Sequence, residues 1–228
     1  MRIAEIYRSL QGEGFLTGTA SVFVRASGCN LRCSFCDTPF TSWSPEGEDC
    51  SVAEILDQVA AAPADHVVLT GGEPMLFAEL IPLTAALREA GKHITIETAG
   101  TLDLPVMCDL MSISPKLANS TPAATRDAGW HARHEQARHV PAVIRRLLAD
   151  YPYQLKFVID APADLAEVDA YLRLFPEIDR RRVLLMPQGT TIAELRSRAE
   201  WLEPYCAAQE LVYCPRRHIE WYGHTRGT

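Results

Sequence analysis

Residues 66–98 read HVVLTGGEPMLFAELIPLTAALREAGKHITIET. The opening five are a short β-branched apolar run, which reads as a buried strand. Gly71 and Gly72 interrupt it. Pro74 suits the first turn of a helix, and Gly91 is a good residue to stop one. Residues 93–98 then return to a strand pattern. Strand, helix and strand in this order predict two parallel strands joined by a right-handed crossover.

Outward from this unit the alternation continues. Residues 2–7 and 21–25 alternate apolar and polar side chains, as half-buried strands do. Further strands are expected at 106–112, 154–159 and 182–186, with a short last one at 210–213. Ser51-Val-Ala-Glu54 is a capping box that opens a helix towards Ala62. Asp164-Leu-Ala-Glu167 is expected to cap a helix ending before Pro176, and Thr191-Ile-Ala-Glu194 one running to about Leu202. Residues 118–141 are the least regular part, with Pro122, Gly129 and three histidines (His131, His134, His139). They are expected to form a loop or lid within a single domain spanning 1–228. The histidine spacing fits no standard ligand pattern, so they are not expected to bind a metal.

Six or so units are few for a closed eight-fold barrel of about 250 residues. The expected fold is α/β, an open partial (βα)6 barrel of parallel strands; a flavodoxin-like doubly wound sheet fits the same pattern. Either way, chemistry belongs at the C-terminal ends of the strands. The polar punctuation lies there: Ser27-Gly28-Cys29, Thr70-Gly71-Gly72-Glu73, Glu97-Thr98, Ser114-Pro115-Lys116 and Pro187-Gln188.

The chain has 228 residues, 47% hydrophobic, with 22 Lys+Arg against 29 Asp+Glu and a formal charge of −7. That acidity argues against general binding of nucleic acid or an anionic membrane. The first ten residues lack the apolar stretch of a signal peptide, and no run approaches the roughly 20 apolar residues of a membrane span. A cytoplasmic protein is expected. In that reducing compartment its seven cysteines are metal ligands, catalytic thiols or small packed residues rather than disulfides. Cys50, Cys108, Cys206 and Cys214 are scattered and read as ordinary thiols.

Cys29, Cys33 and Cys36 stand apart, in the spacing C-x3-C-x2-C. Three thiolates on one short loop suit a corner of an iron–sulfur cubane, which normally takes four cysteines. A fourth iron left without a thiol is free for an outside ligand carrying an amine and a carboxylate. A structural zinc knuckle, with Cys50 or a histidine as fourth ligand, is the competing reading. Zinc ribbons, however, usually pair two separated C-x2-C units, and only Cys33 and Cys36 have that form.

C-x3-C-x2-C after a strand, with Phe35 just before the last cysteine, resembles the signature of the radical S-adenosylmethionine (SAM) superfamily. Gly71-Gly72-Glu73-Pro74 resembles that superfamily's GGEP motif. The run from Tyr7 to Gly14, the Cys36-Asp37-Thr38 close, Glu97-Thr98-Ala99-Gly100-Thr101, Ser114-Pro115-Lys116 and the tail from Arg217 to Gly223 resemble the 7-carboxy-7-deazaguanine synthase family. The resemblance covers almost the whole chain. A longer insert that some members carry between the first two cysteines is absent here.

The resemblance implies a [4Fe–4S] cluster, SAM and Mg²⁺. It also implies a lyase of queuosine and 7-deazapurine biosynthesis, the pathway of a tRNA modification. Such a lyase converts 6-carboxy-5,6,7,8-tetrahydropterin to 7-carboxy-7-deazaguanine with loss of ammonia, and regenerates SAM. A flavodoxin or ferredoxin would supply the electron, and the family expectation is a homodimer. A glycyl-radical-enzyme activase shares the cysteine spacing, and a non-catalytic zinc or iron–sulfur module is the third reading.

By the same resemblance Leu10, Gln11, Gly12, Arg25, Thr70 and the terminal Thr228 contact substrate. Phe35, Gly72, Glu73, Ser114, Pro115, Lys116 and Gln188 contact SAM. Cys29, Cys33 and Cys36 hold the cluster, and Thr38 holds Mg²⁺, with Asp37 as second choice. Glu97 is the catalytic candidate: a carboxylate inside a barrel is costly unless paired. Each has a plainer reading. Gln11 and Gly12 can form a turn, Arg25 a surface ion pair, and Glu73 can fix its own loop. Lys116 can pair with an acid elsewhere in the barrel. Glu13 is either a polar contact or solvated, and His218 is a candidate to close over the substrate.

Overall fold

The computed structural model describes residues 1–228. Two long strands, β1 (Arg2–Leu10) and β2 (Ala20–Ala26), form an antiparallel hairpin-like start. The two-residue β3 (Glu48–Asp49) pairs with β1, and α1 (Val52–Ala61) follows. Then come β4 (His66–Gly71), α2 (Leu80–Glu89), β5 (His93–Thr98), β6 (Leu110–Ile113), α3 (Ala128–Ala137) and α4 (Pro141–Asp150). The chain continues through β7 (Tyr153–Ile159), α5 (Asp164–Leu174), β8 (Val183–Pro187), α6 (Ile192–Ala208), β9 (Val212–Tyr213) and α7 (Arg217–Tyr222).

All nine strands lie in one sheet of order β3-β1-β2-β4-β5-β6-β7-β8-β9. From β2 to β9 every neighbour pair is parallel. The parallel strands follow chain order without reversal, so there is no switch point of the doubly wound kind. The edge strands β3 and β9 do not pair, so the sheet is an open partial barrel. The flavodoxin-like alternative is set aside. No helix is long and apolar enough to cross a membrane.

Strand periodicity sorts side chains between the two faces. Val67, Leu69, Ile94, Ile96, Leu155 and Phe157 are buried in the layer between sheet and helices, against Ile55, Leu83, Leu87, Ile144 and Leu202. The alternate positions of the same strands carry Thr70, Thr95, Glu97, Gln154 and Lys156. The sheet is therefore apolar towards its helices and polar towards its hollow.

Local signals hold where their chemistry is complete. Ser51–Glu54 and Thr191–Glu194 form reciprocal capping boxes. Asp164 and Glu167 do not: the Asp164 carboxylate instead accepts from Asp160 N–H and Ala161 N–H, both at 2.8–3.0 Å. Pro74 opens only a 3₁₀ turn, Pro74–Leu76, and the helix begins at Leu80. The strand expected at 106–112 is confined to Leu110–Ile113. The helix expected to end near Leu202 runs through Pro204 to Ala208.

Residues 118–141 are more ordered than expected. They hold a 3₁₀ turn, Ala118–Ser120, then α3, N-capped by Asp127, whose carboxylate accepts from Trp130 N–H. This segment braces the cysteine loop. Ser34 N–H donates to Ser120 O at 2.8 Å and Ser34 Oγ to Asn119 O at 3.1 Å. His134, fully buried, takes the Arg32 N–H on Nδ1 at 3.2 Å, and its Nε2 lies 2.9 Å from Ser120 Oγ. A backbone N–H can only donate, so Nδ1 is bare and the proton sits on Nε2.

Burial holds His134 down to about 4, against an ordinary value of 6.5. Below pH 6.5 the unfolded chain gains a proton that the folded chain refuses, so stability falls as pH drops from 6.5 towards 4, by at most about 3 kcal/mol. Thermal unfolding of the wild type and His134→Asn at pH 7, 6 and 5 should show the wild-type advantage shrinking with acid. An advantage constant with pH would contradict this arrangement.

Candidate active site

A cavity of about 550 Å³ opens at the C-terminal ends of the parallel strands, a size typical of small-molecule sites. Cys29, Cys33 and Cys36 line one wall, after β2. Thr70 and Gly71 end β4 and Gly72 follows it, Glu97 lies in β5, and Ser114 and Lys116 follow β6. Lys156 comes from β7 and Gln188 follows β8. Gln11, Gly12, Arg25, Phe35, Thr38 and Thr228 also line it. Leu10, Glu73 and Pro115, expected as ligand contacts, do not.

The three thiols are free and partly buried. Burial pushes Cys29 up to about 12 and Cys33 up to about 11. No three His, Cys, Asp or Glu side chains converge on one point as a single metal ion requires. Thiols at separate points of one wall suit a polynuclear cluster, each holding a different iron. The loop is shaped for that. Gly28 N–H donates to Thr41 O, and Glu73 N–H donates to Gly28 O, both at 2.8 Å. A Cβ on Gly72 would stand 2.1 Å from Gly28 O and 2.8 Å from Thr41 O. The absence of a side chain there lets the turn after β4 meet the cysteine loop backbone to backbone.

Glu73 is fully buried and its carboxylate is consumed by the fold. Oε1 accepts from Met75 N–H at 3.1 Å, Oε2 from Ala99 N–H at 2.9 Å, and Thr98 Oγ bridges both at 2.9–3.0 Å. Of the two readings offered for Glu73, the structure realises the one in which it fixes its own loop. Lys116 Nζ reaches Ser114 Oγ at 2.8 Å inside the cavity, the cation expected near a carboxylate ligand.

Elsewhere in the lining, charges alternate and run back to the cysteine loop at Asp37. Lys156 pairs with Glu13 and lies 3.8 Å from Glu97 Oε1. Thr70 Oγ donates to Glu97 Oε2 at 2.7 Å. Arg216 bridges Glu13, at 3.1 Å, and Asp37. Burial alone would raise Glu13, but Lys156 and Arg216 outweigh it and hold the carboxyl well below the usual range. Burial would lower Lys156, but Glu13 and Glu97 outweigh it and push the ammonium up. Asp37 is occupied by Arg216, which leaves Thr38 as the less committed oxygen beside Cys36.

Arg25 donates Nε to Glu5 at 2.7 Å and Nη2 to Tyr7 at 2.7 Å. A guanidinium has five N–H donors, so others remain for a ligand. Gln11 donates Nε2 to Ser21 Oγ at 2.9 Å, keeping its amide oxygen for the cavity. The tail lines part of the mouth. Arg226 donates to Glu5 and Glu46 at 2.9 Å and stacks on Phe40 at 3.9 Å, bringing Thr228 into the lining.

The radical SAM superfamily model matches residues 23–115. A 7-carboxy-7-deazaguanine synthase of Rhodopirellula baltica is 46% identical over 99% of this chain and 88% of its own length. That of Halobacterium salinarum is 45% identical over 95% of this chain and 88% of its own. This chain belongs to the 7-carboxy-7-deazaguanine synthase family. A crystal structure of QueE from Escherichia coli shares the fold, with TM-score 0.71 at 24% identity over 95% of this chain and 94% of that one. A structure of Streptococcus suis SuiB shares it more loosely, with TM-score 0.56 over 85% of this chain and 48% of that one.

As a radical SAM protein of this family, the enzyme works with a [4Fe–4S] cluster and SAM, and the cysteine wall and Lys116 fit those groups. Lys156 and Arg216 were not singled out in the sequence. A cation at the centre of the apolar strand YQLKFVI, one of only three lysines in the chain, was a usable signal. Arg216 carries no such mark.

Gly72→Ala tests the close approach. The extra methyl must push the cysteine loop away, so iron and sulfide incorporation should drop severalfold while secondary structure persists by circular dichroism. Full incorporation would contradict the contact.

Proposed function

We propose that the enzyme converts 6-carboxy-5,6,7,8-tetrahydropterin to 7-carboxy-7-deazaguanine, releasing ammonia. The observation that supports this best is that the three-thiol wall and the Gln11, Arg25, Glu97 and Lys156 side chains face one cavity. When bound, cluster and SAM supply a carbon-centred radical that takes a hydrogen atom from substrate. Ring contraction with loss of ammonia needs no net oxidant, so SAM is regenerated.

The chain's own residues bind and orient. Arg25 presents planar donors to the substrate carboxylate. Gln11 offers its amide oxygen to the pterin edge. Glu97, held between Thr70 and Lys156, offers a polar contact to the substrate ring. Thr38 offers a hydroxyl to Mg²⁺, which takes few protein ligands and relies on substrate oxygens and water. The tail and Thr228 exclude solvent.

A cavity of about 550 Å³ lined by the His224–Thr228 segment suits a small molecule better than the backbone of a protein substrate, so the activase reading is not favoured. We place the enzyme in the cytoplasm, where thiols stay reduced for iron, as a homodimer supplied by a flavodoxin or ferredoxin.

Anaerobically reconstituted protein with dithionite, SAM and the carboxy-tetrahydropterin should form product over many turnovers per SAM, more slowly without Mg²⁺. Cys29→Ala, Cys33→Ala and Cys36→Ala should each abolish it, and Cys50→Ala should not. No product, or methionine released one-for-one, would overturn the proposal.

A further inference from the structure

The cysteine loop has two faces. The inner one lines the cavity. The outer one carries arginines stacked on tryptophans. The Arg32 guanidinium lies 4.0 Å from the Trp130 ring centre, with Arg133 at 5.4 Å from the same ring. Arg126 lies 3.9 Å from the ring of Trp43. None of these five side chains lines the cavity.

Both tryptophan–arginine stacks touch the loop backbone. Trp43 Nε1 donates to Cys33 O at 3.0 Å. Arg32 Nη1 donates to Cys29 O at 2.8 Å and Leu31 O at 2.7 Å. Arg126 and Arg133 are exposed, and no carboxylate pairs with either. Of the nearby carboxylates, Asp127 is committed to the N-cap of α3 and Glu135 is paired with Arg138 and Thr121. The patch is thus positive on a chain of formal charge −7.

We propose that this outer face, built by Arg126 and Arg133 around Trp43 and Trp130, is the docking surface for an acidic one-electron carrier protein. The inference rests on the radical SAM reading, because only a cluster that must be reduced needs an external electron. Three features single out this face. It backs directly onto the cysteines, while the cavity on their other side is filled by substrate and SAM during turnover. Its charge opposes that of the rest of the molecule, which orients an acidic partner as it approaches. Its cations are held on aromatic faces rather than spent in ion pairs, so a partner's carboxylates can reach them without breaking existing contacts.

The experiment compares two electron sources on the reconstituted enzyme: dithionite, which needs no docking, and a photoreduced flavodoxin. In R126E/R133E the dithionite-driven rate should stay within about twofold of wild type. With flavodoxin as sole donor, the concentration giving half-maximal rate should rise about tenfold or more, and its dependence on salt should flatten. R173E/R196E, reversing two exposed and unpaired arginines on α5 and α6, controls for total charge and should leave both rates unchanged.

An unaltered half-saturation for flavodoxin overturns the docking face. So does a parallel fall with both donors, or an equal effect of the control pair. Loss of polynucleotide binding with intact flavodoxin kinetics also overturns it, and would assign the patch to nucleic acid instead. Wild-type protein inactive with dithionite would instead sink the proposed reaction itself, and is read separately.

Discussion

The carboxylate of Glu73 has no exposed surface, and its hydrogen bonds join three strand ends. Its side chain gathers Met75, Thr98 and Ala99, while its backbone N–H holds Gly28. Burying a carboxylate is expensive unless its oxygens are satisfied. Here burial raises the Glu73 carboxyl, opposed by the N–H donors of Ala99 and Met75 and then by Thr98. The site is built round that knot. The cysteine loop, the turn after β4 and the end of β5 meet there, and the cysteine loop comes close because Gly72 has no side chain to hold it away.

The charged part of the lining works by a different principle. Glu97, Lys156, Glu13, Arg216 and Asp37, in that order, form a chain of alternating charge within the cavity lining. Glu13 is the member on which both buried cations depend: truncating it leaves Lys156 and Arg216 short of their shared partner, at a cost of roughly 3–5 kcal/mol. Preorganisation follows, because groups fixed by mutual attraction need not reorganise when substrate arrives. Glu97 is aimed by Thr70 and Lys156, and Arg25 by Glu5 and Tyr7. Glu5 also holds Arg226, so Arg25 and the tail share a carboxylate.

Much of this was legible in the sequence wherever a short segment carries its own chemistry. The cysteine spacing, the glycine pair after β4 and two capping boxes each depend on neighbours in the chain, and each took the expected local form. The pattern failed where tertiary contacts decide. Helix α3 contains Gly129 and lacks an apolar stripe, so it reads as a loop; Asp127, and packing of His134 and Trp130 on the cysteine loop, make it a helix. Glu73 was read as either a ligand contact or a loop clamp, because a sequence does not show that Thr98 and Ala99 come back to meet it. Lys156 and Arg216 sit far from Glu13 in the chain, and only the folding of the sheet brings them together.

The account stands on three thiols serving a cluster whose remaining iron belongs to no side chain. Mössbauer spectroscopy of anaerobic, iron-57-labelled protein tests this most directly. About four irons with matching sulfide per chain are expected, one of them changing its spectrum on addition of SAM while the rest do not. Irons that all ignore SAM, or zinc without sulfide, would contradict it.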